Sequence, residues 1–351
     1  MKWTPFFVCV LLLATCKAPE KPIFPVVVNG ETMGTTFRVV YLSQTGENFF
    51  AEVDSLLKEV NQELSTYIPE SRISRFNQAD NNIYLATTGT RHFERVFRSA
   101  KEIHKATDAY LEPTVMPLIN YWGFGYDEKR MVTDIDSVKV DSLRQFVGFE
   151  KVELTPVLDT SINGDKATRR IVKSNPSSQL DFSAIAKGYG VDAIGELLES
   201  KAINDYLVEI GGEVRARGKN AKGAVWTFGV STPKEDAEIT DVNNVIALSN
   251  YSAATSGNYR NFYEKDGQKY AHIINPFSGF PQASTLLSTT VFATDCMTAD
   301  AYATAFMVMG KEQAKALADQ IPGVEALFIF SDAEGNMRSE MTEGAKSLVL
   351  Q

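Results

Sequence analysis

Apolar runs at strand period and at helical period follow one another along this chain without a regular strand–helix–strand beat. That irregularity favours an α+β architecture over a doubly wound parallel sheet. Val26–Val28 and Thr36–Leu42 read as strands around a Met33-Gly34-Thr35 turn. Phe49, Val53, Leu56, Leu57, Val60 and Leu64 recur at helical spacing, so Phe49–Leu64 reads as a helix. A short turn at Ile73–Asn77 and a helix from about Thr90 to Ala106 follow. Residues 127–178 are the most charged and least motif-bearing part, with an amphipathic helix predicted at Asp136–Phe146. Leu180–Phe182 reads as a strand end and Ala184–Ser200 as a helix, with strands near Tyr206–Ile210, Val214–Gly218 and Trp226–Val230. Short strands continue through Ile274. The chain closes on strand Leu287–Ala293, helices Cys296–Met309 and Lys311–Gln320, and strand Ala326–Phe330.

The first sixteen residues stand apart. Lys2 is a minimal positive start, Phe6–Leu13 is almost wholly apolar, and Leu13-Ala-Thr-Cys16 follows. This apolar run is far short of the roughly 20 residues a membrane span needs, but it suits a secretory signal. Leu-Ala-x-Cys resembles the bacterial lipobox, which makes Cys16 the expected lipidation site; a signal cut by the ordinary peptidase is the alternative. Residues 17–25 are proline-rich and read as a tether, leaving 26–351 as one domain or two lobes. Beyond Cys9 in the signal and Cys16, only Cys296 remains, so neither an internal disulfide nor a cysteine metal site is open to it. The net charge of −9 argues against a nucleic-acid partner. A phosphate-bearing ligand would have to be held by local cations, backbone N–H groups or a metal.

Two distant stretches carry the chemistry: Asp181-Phe-Ser-Ala-Ile-Ala-Lys-Gly188 and Asp295-Cys-Met-Thr-Ala-Asp-Ala-Tyr-Ala-Thr304. The second reads as a helix capped by Asp295. Asp300 and Thr304 lie four residues apart on it, so their oxygens share one face and make a half-site for a hard cation such as Mg²⁺. A helix-surface hydrogen bond fits the same pair. Lys187 lies near a helix start, where backbone N–H groups favour an anion; a solvated lysine on a helix face is the plainer reading. His272, one of three histidines, suits a general base near neutral pH, but a structural histidine in a strand is the plainer reading. Gly188-Tyr-Gly190-Val-Asp-Ala-Ile-Gly195 has its third glycine two residues too far along for a dinucleotide fingerprint, and no P-loop pattern occurs. The glycine turns at Ile210–Glu213 and Ser256–Arg260 suit either close backbone approach to a ligand or ordinary hairpins. Tyr67 is placed to stack on a flat ring or simply to sit in an exposed loop.

Taken in order, these segments resemble the ApbE family, the FAD:protein FMN transferases. The resemblance runs from Met33-Gly-Thr through Ser65-Thr-Tyr, Ser74-Arg-Phe-Asn77, Glu112-Pro-Thr-Val and Trp122-Gly-Phe-Gly125 to Asp181–Gly188. It continues through Glu209-Ile-Gly-Gly-Glu213, Ala254-Thr-Ser-Gly257, His272–Pro276 and Thr298-Ala-Asp-Ala301. It implies an ApbE-like α+β fold of mixed strands and helices in two lobes, with the flavin site between them. It also implies a periplasm-facing lipoprotein, anchored to a bacterial membrane, that transfers FMN from FAD through a phosphoester to a Thr or Ser hydroxyl, releasing AMP. By the same resemblance Mg²⁺ is held by the backbone oxygen of Ala184 with Asp300 and Thr304. FAD is lined by Met33, Tyr67, Tyr110, Leu111, Glu112, Asp181, Lys187 and Ile273, and His272 is the candidate base. The implied acceptor is a subunit of a membrane electron-transfer complex, of the sodium-pumping NADH:quinone reductase or a related type. Glu112 and Asn275 both stand where aspartate is usual, the first lengthening a carboxylate and the second removing a charge three residues from His272. An FAD pyrophosphatase and a non-catalytic flavin-binding lipoprotein are the competing functions.

Overall fold

Strands β1 (Phe24–Thr32) and β2 (Thr35–Ser43) pair antiparallel around a two-residue turn in which Met33 and Gly34 both take positive φ, +50° and +73°. Such a turn carries the twist of its strands, and glycine accepts it without cost. In the computed structural model the described residues are 23–86, 91–126, 132, 134–162, 165–231, 242–258, 262–265, 268–282 and 284–350. The signal segment 1–16 with Cys16, and most of the expected tether, lie outside them; β1 opens at Phe24, two residues before the strand read from sequence.

Helices α1 (Phe50–Leu64) and α2 (Arg72–Gln78) lead to β3 (Ile83–Ala86), then α3 (Arg91–Ala106), α4 (Met116–Tyr121) and α5 (Ser137–Arg144). A hairpin of β4 (Val152–Ile162) and β5 (Asp165–Lys173) precedes α6 (Ala186–Ser200). Next come β6 (Tyr206–Ile210), β7 (Glu213–Arg217), β8 (Trp226–Ser231), β9 (Val242–Leu248), β10 (Tyr251–Gly257), β11 (Phe262–Lys265) and β12 (Gln268–Ala271). The chain ends through β13 (Leu286–Ala293), α7 (Cys296–Met309), α8 (Lys311–Ala318), β14 (Glu325–Ser331), β15 (Met337–Met341) and α9 (Glu343–Lys346). An eight-stranded antiparallel sheet ordered β1-β2-β6-β7-β10-β13-β14-β15 is the frame, with β3-β5-β4, β8-β9 and β11-β12 as smaller sheets. Helices and antiparallel sheets, with no parallel crossover among the described residues, make this an α+β fold, as the irregular beat predicts. No helix among the described residues is long and apolar enough to cross a membrane.

Helix α7 is buried on nearly every face, and its alanines at 299, 301, 303 and 305 let neighbouring elements come close. It starts where Asp295 accepts the Thr298 N–H at 2.8 Å and stops at Gly310, φ +80°. Beside it, α6 carries a glycine where a side chain would not fit. A Cβ on Gly188 would stand 2.3 Å from the Cys296 carbonyl oxygen, whereas one on Gly190 would make a tight contact with the flexible tip of Met33 at 3.0 Å. Close packing against α7, not a dinucleotide fingerprint, is what Gly188 serves. Buried Asp192 ties the two helices together: Oδ1 accepts from Cys296 N and Arg215, and Oδ2 from Met297 N.

Leu180–Phe182 forms no strand. Its backbone is held by a side chain instead: Asn77 Nδ2 donates to the Leu180 carbonyl at 2.8 Å and Asn77 Oδ1 accepts the Leu180 N–H at 2.7 Å. This amide supplies both bonds a neighbouring strand would have made. Fully buried Phe76, Phe93, Phe149 and Phe182 pack in the surrounding core, each contributing about 1.5–3 kcal/mol.

Candidate active site

A cavity of about 1140 Å³ is lined by the glycine turns of the large sheet together with Val115, Ile119, His272–Ile274 and Pro276. That is room for a ligand at least as large as a drug-sized molecule. Every binding, metal and catalytic residue singled out in sequence within residues 33–304 lines it. The fold thus gathers Met33, Tyr67, Tyr110–Glu112, Asp181, Ala184, Lys187, His272–Ile273, Asp300 and Thr304 around one space.

The floor is built where α6 meets α7. Asp300 is 3% exposed, and its Oδ2 accepts the Gly188 N–H at 2.9 Å. In an uninterrupted helix that N–H would bond the carbonyl four residues back, which is Ala184. With that N–H given to Asp300, the Ala184 carbonyl, just ahead of the first turn of α6, accepts no hydrogen bond among the described residues. Thr304, one turn along α7, shares a hydrogen bond of 3.0 Å with Ser256 of β10. A free carbonyl, a carboxylate and a hydroxyl make an all-oxygen donor set, the kind that suits a hard cation.

Lys187 is half-buried over this floor. Its ammonium donates to Glu213 Oε1 at 2.5 Å and lies 3.8 Å from Asp300 Oδ1. Burial alone would lower the Lys187 pKa; the carboxylates of Asp300 and Glu213 outweigh it and hold the pKa above its ordinary value. Burial raises the pKa of Glu213, with the Asp300 charge adding to the effect. The cavity floor therefore holds a lysine that stays charged, next to two carboxylates.

At the rim, Asp181 Oδ1 accepts from the Ser183 N–H at 2.9 Å and the Ser183 hydroxyl at 2.5 Å, while burial raises its pKa. Tyr67 is exposed, and Tyr110 meets Phe277 edge-on at 4.9 Å while donating to Gln313. Asp108 and Ala109, both at positive φ, deliver Tyr110 to the rim. Thr107 stabilises that bend by donating to the Ile103 carbonyl and accepting from Leu111 N. Glu112 faces inward with its carboxylate. Oε1 accepts from Thr114 N and Oγ1, Oε2 from Phe149 N, and Oε2 lies 3.5 Å from His104 Nδ1. Its carboxylate is thus taken up by bonds to the surrounding backbone and to Thr114.

The three histidines separate cleanly. His92 shares a 2.6 Å hydrogen bond with Tyr189 and His104 bonds the Leu111 carbonyl, both buried; His272 alone among them lines the cavity, half-buried and edge-on to Phe124. Asn275 serves its own loop. Its Oδ1 accepts from Phe277 and Ser278 N–H, and its Nδ2 donates to Gln282 Oε1. The charge absent at this position is thus absent from a turn.

Glu213, Ser256 and Asn77 bond to Lys187, Thr304 and Leu180 respectively, contacts that their side chains do not announce in sequence. Glu213 and Ser256 sat inside the glycine turns already noted, where the turn drew attention and the polar side chain beside it did not.

The model of the ApbE family matches residues 33–328. A protein of Vibrio cholerae named FAD:protein FMN transferase is 38% identical over 91% of this chain and 92% of its own length. One of the same name from Haemophilus influenzae is 38% identical over 88% and 87%. The structure of the flavin transferase ApbE from Vibrio cholerae superposes with a TM-score of 0.79 at 34% identity, covering 93% of this chain and all of that one.

Proposed function

The chain belongs to the ApbE family, and from that premise we propose that it is an FAD:protein FMN transferase. The observation that carries the reading to the chemistry is that Lys187, Asp300 and His272 line one cavity. Such a transfer asks a protein mainly for alignment and charge neutralisation.

In the proposed reaction a Ser or Thr hydroxyl oxygen of the acceptor bonds to the phosphorus of the FMN half of FAD. The bond from that phosphorus to the bridging oxygen breaks, and AMP leaves with that oxygen. His272 takes the hydroxyl proton, since an unassisted hydroxyl is a poor nucleophile. Lys187 stabilises charge on the phosphates, and Asp181 offers its remaining oxygen to N–H or O–H donors of the nucleotide. Tyr67 and Tyr110 offer flat faces at the rim. The all-oxygen set of Ala184, Asp300 and Thr304 fits Mg²⁺, which when bound supplies further neutralisation of the phosphates.

The proposal extends to the setting: a lipoprotein held by Cys16 and facing the periplasm, with an acceptor subunit of a sodium-pumping NADH:quinone reductase or related complex. Both rest on the sequence resemblance. The test mixes residues 17–351 with FAD, Mg²⁺ and a candidate acceptor domain. A flavin-fluorescent acceptor band on a denaturing gel, with an equal amount of AMP, is the expected result. AMP with free FMN and no band would make the chain a hydrolase; FAD retained without AMP would make it a flavin-binding protein.

A further inference from the structure

We propose that Glu213 is a positioning residue that holds the Lys187 ammonium off Asp300 and aims it at the phosphates of the bound nucleotide. The proposal rests on the FAD reading above. Glu213 opens β7 directly after the Gly211-Gly212 turn and is 3% exposed. Its Oε1 holds the ammonium, while its Oε2 is buried with no hydrogen-bond partner among the described residues.

Asp192 supplies the contrast. It is equally buried, yet both its oxygens are bonded, to two helix N–H groups and a guanidinium. That is how a carboxylate that braces a scaffold is satisfied. An orphaned buried oxygen costs about 1–3 kcal/mol, more when charged, so Glu213 is poorly explained as bracing. Its place is explained by the neighbouring ion. Lys187 lies between two buried carboxylates, 2.5 Å from Glu213 and 3.8 Å from Asp300. Without the Glu213 charge, the ammonium would move the remaining distance to Asp300. It would then neutralise the carboxylate of the oxygen donor set and withdraw from the cavity. Glu213 keeps the lysine and Asp300 as two separate tools.

The test compares equilibrium binding of FAD and of riboflavin, which lacks phosphate, by flavin fluorescence without added metal. Wild type, Glu213→Gln, Lys187→Met and the double variant are measured. Glu213→Gln is expected to weaken FAD about tenfold and riboflavin less than twofold, and to add nothing in the Lys187→Met background. Equal losses for both ligands, or additive losses in the double variant, would overturn the proposal and leave Glu213 a structural residue. Should Glu213→Gln fail to fold, Glu213→Asp draws the charge back by one methylene and carries the same expectation. Wild type that binds FAD no better than riboflavin would sink the placement of phosphate at Lys187 itself, a failure distinct from that of Glu213.

Discussion

The backbone N–H of Gly188 is bonded to Asp300 Oδ2 at 2.9 Å, across 112 residues of chain. The contact exists because position 188 has no side chain: a Cβ there would lie 2.8 Å from the Asp300 Cβ and closer still to the Cys296 carbonyl. Gly188→Ala is therefore expected to force α6 and α7 apart and to cost about 1–3 kcal/mol. A urea midpoint unchanged from wild type would show that the crossing has slack which the geometry does not reveal.

Asp300→Ala removes the single anionic donor of the Ala184–Asp300–Thr304 set. AMP release in the presence of FAD and acceptor is expected to fall at least a hundredfold, and excess Mg²⁺ is expected not to restore it. Full turnover at low Mg²⁺ would disprove the metal assignment.

His272→Ala is expected to keep FAD affinity within about threefold and to lose transfer. The two are separated by titrating flavin fluorescence and by following the labelled acceptor. Equal transfer rates in variant and wild type would remove His272 from the proton step.

Asn275→Asp tests whether the charge absent near His272 matters. The Asn275 oxygen caps a turn through Phe277 and Ser278, and a carboxylate can accept the same bonds. The transfer rate is expected to stay within about twofold, whereas a tenfold rise would assign the position an electrostatic role in catalysis.

Glu63 provides a pH prediction. It is 7% exposed, and burial raises its pKa to about 7 although it accepts the Phe93 N–H. Its native pKa exceeds the unfolded one, so the folded chain holds a proton that the unfolded chain has already lost. The cost is absent below the unfolded pKa of about 4.5, grows as pH rises, and is complete above about 7. Glu63→Gln keeps the acceptor and removes the charge. Relative to wild type it is expected to gain on the order of 2–3 kcal/mol between pH 4 and pH 8. A difference in unfolding free energy that stays flat over that range would refute it.

Local signals made much of this fold legible. Helix α7 was readable to its ends because Asp295 caps it and Gly310 stops it. Strand β6 was readable from its alternating Tyr206, Val208 and Ile210. The β4–β5 hairpin carries its own sequence signal, Asn163-Gly164 between the two strands, but the charge and weak apolar alternation around it masked the strands themselves. Edge strand β15 has no fully buried residue and shows no apolar alternation. At the site, motif order located the lining residues, but direction did not follow from it. Nothing local says that the Glu112 carboxylate turns toward Thr114 and Phe149, or that Asn275 serves its own turn, since both depend on partners supplied by the folded chain.

The Asn77 bonds to Leu180 bear on how the protein reaches its working state. They join residues 103 positions apart, and they fix the backbone immediately before Asp181. Closing so long a loop is slow and precedes any reward from the contacts it permits. The cavity beside Asp181 is therefore expected to form late in folding, since it waits on this contact. Flavin binding becomes a reporter of complete folding, and FAD in excess should pull refolding chains toward the native state by mass action.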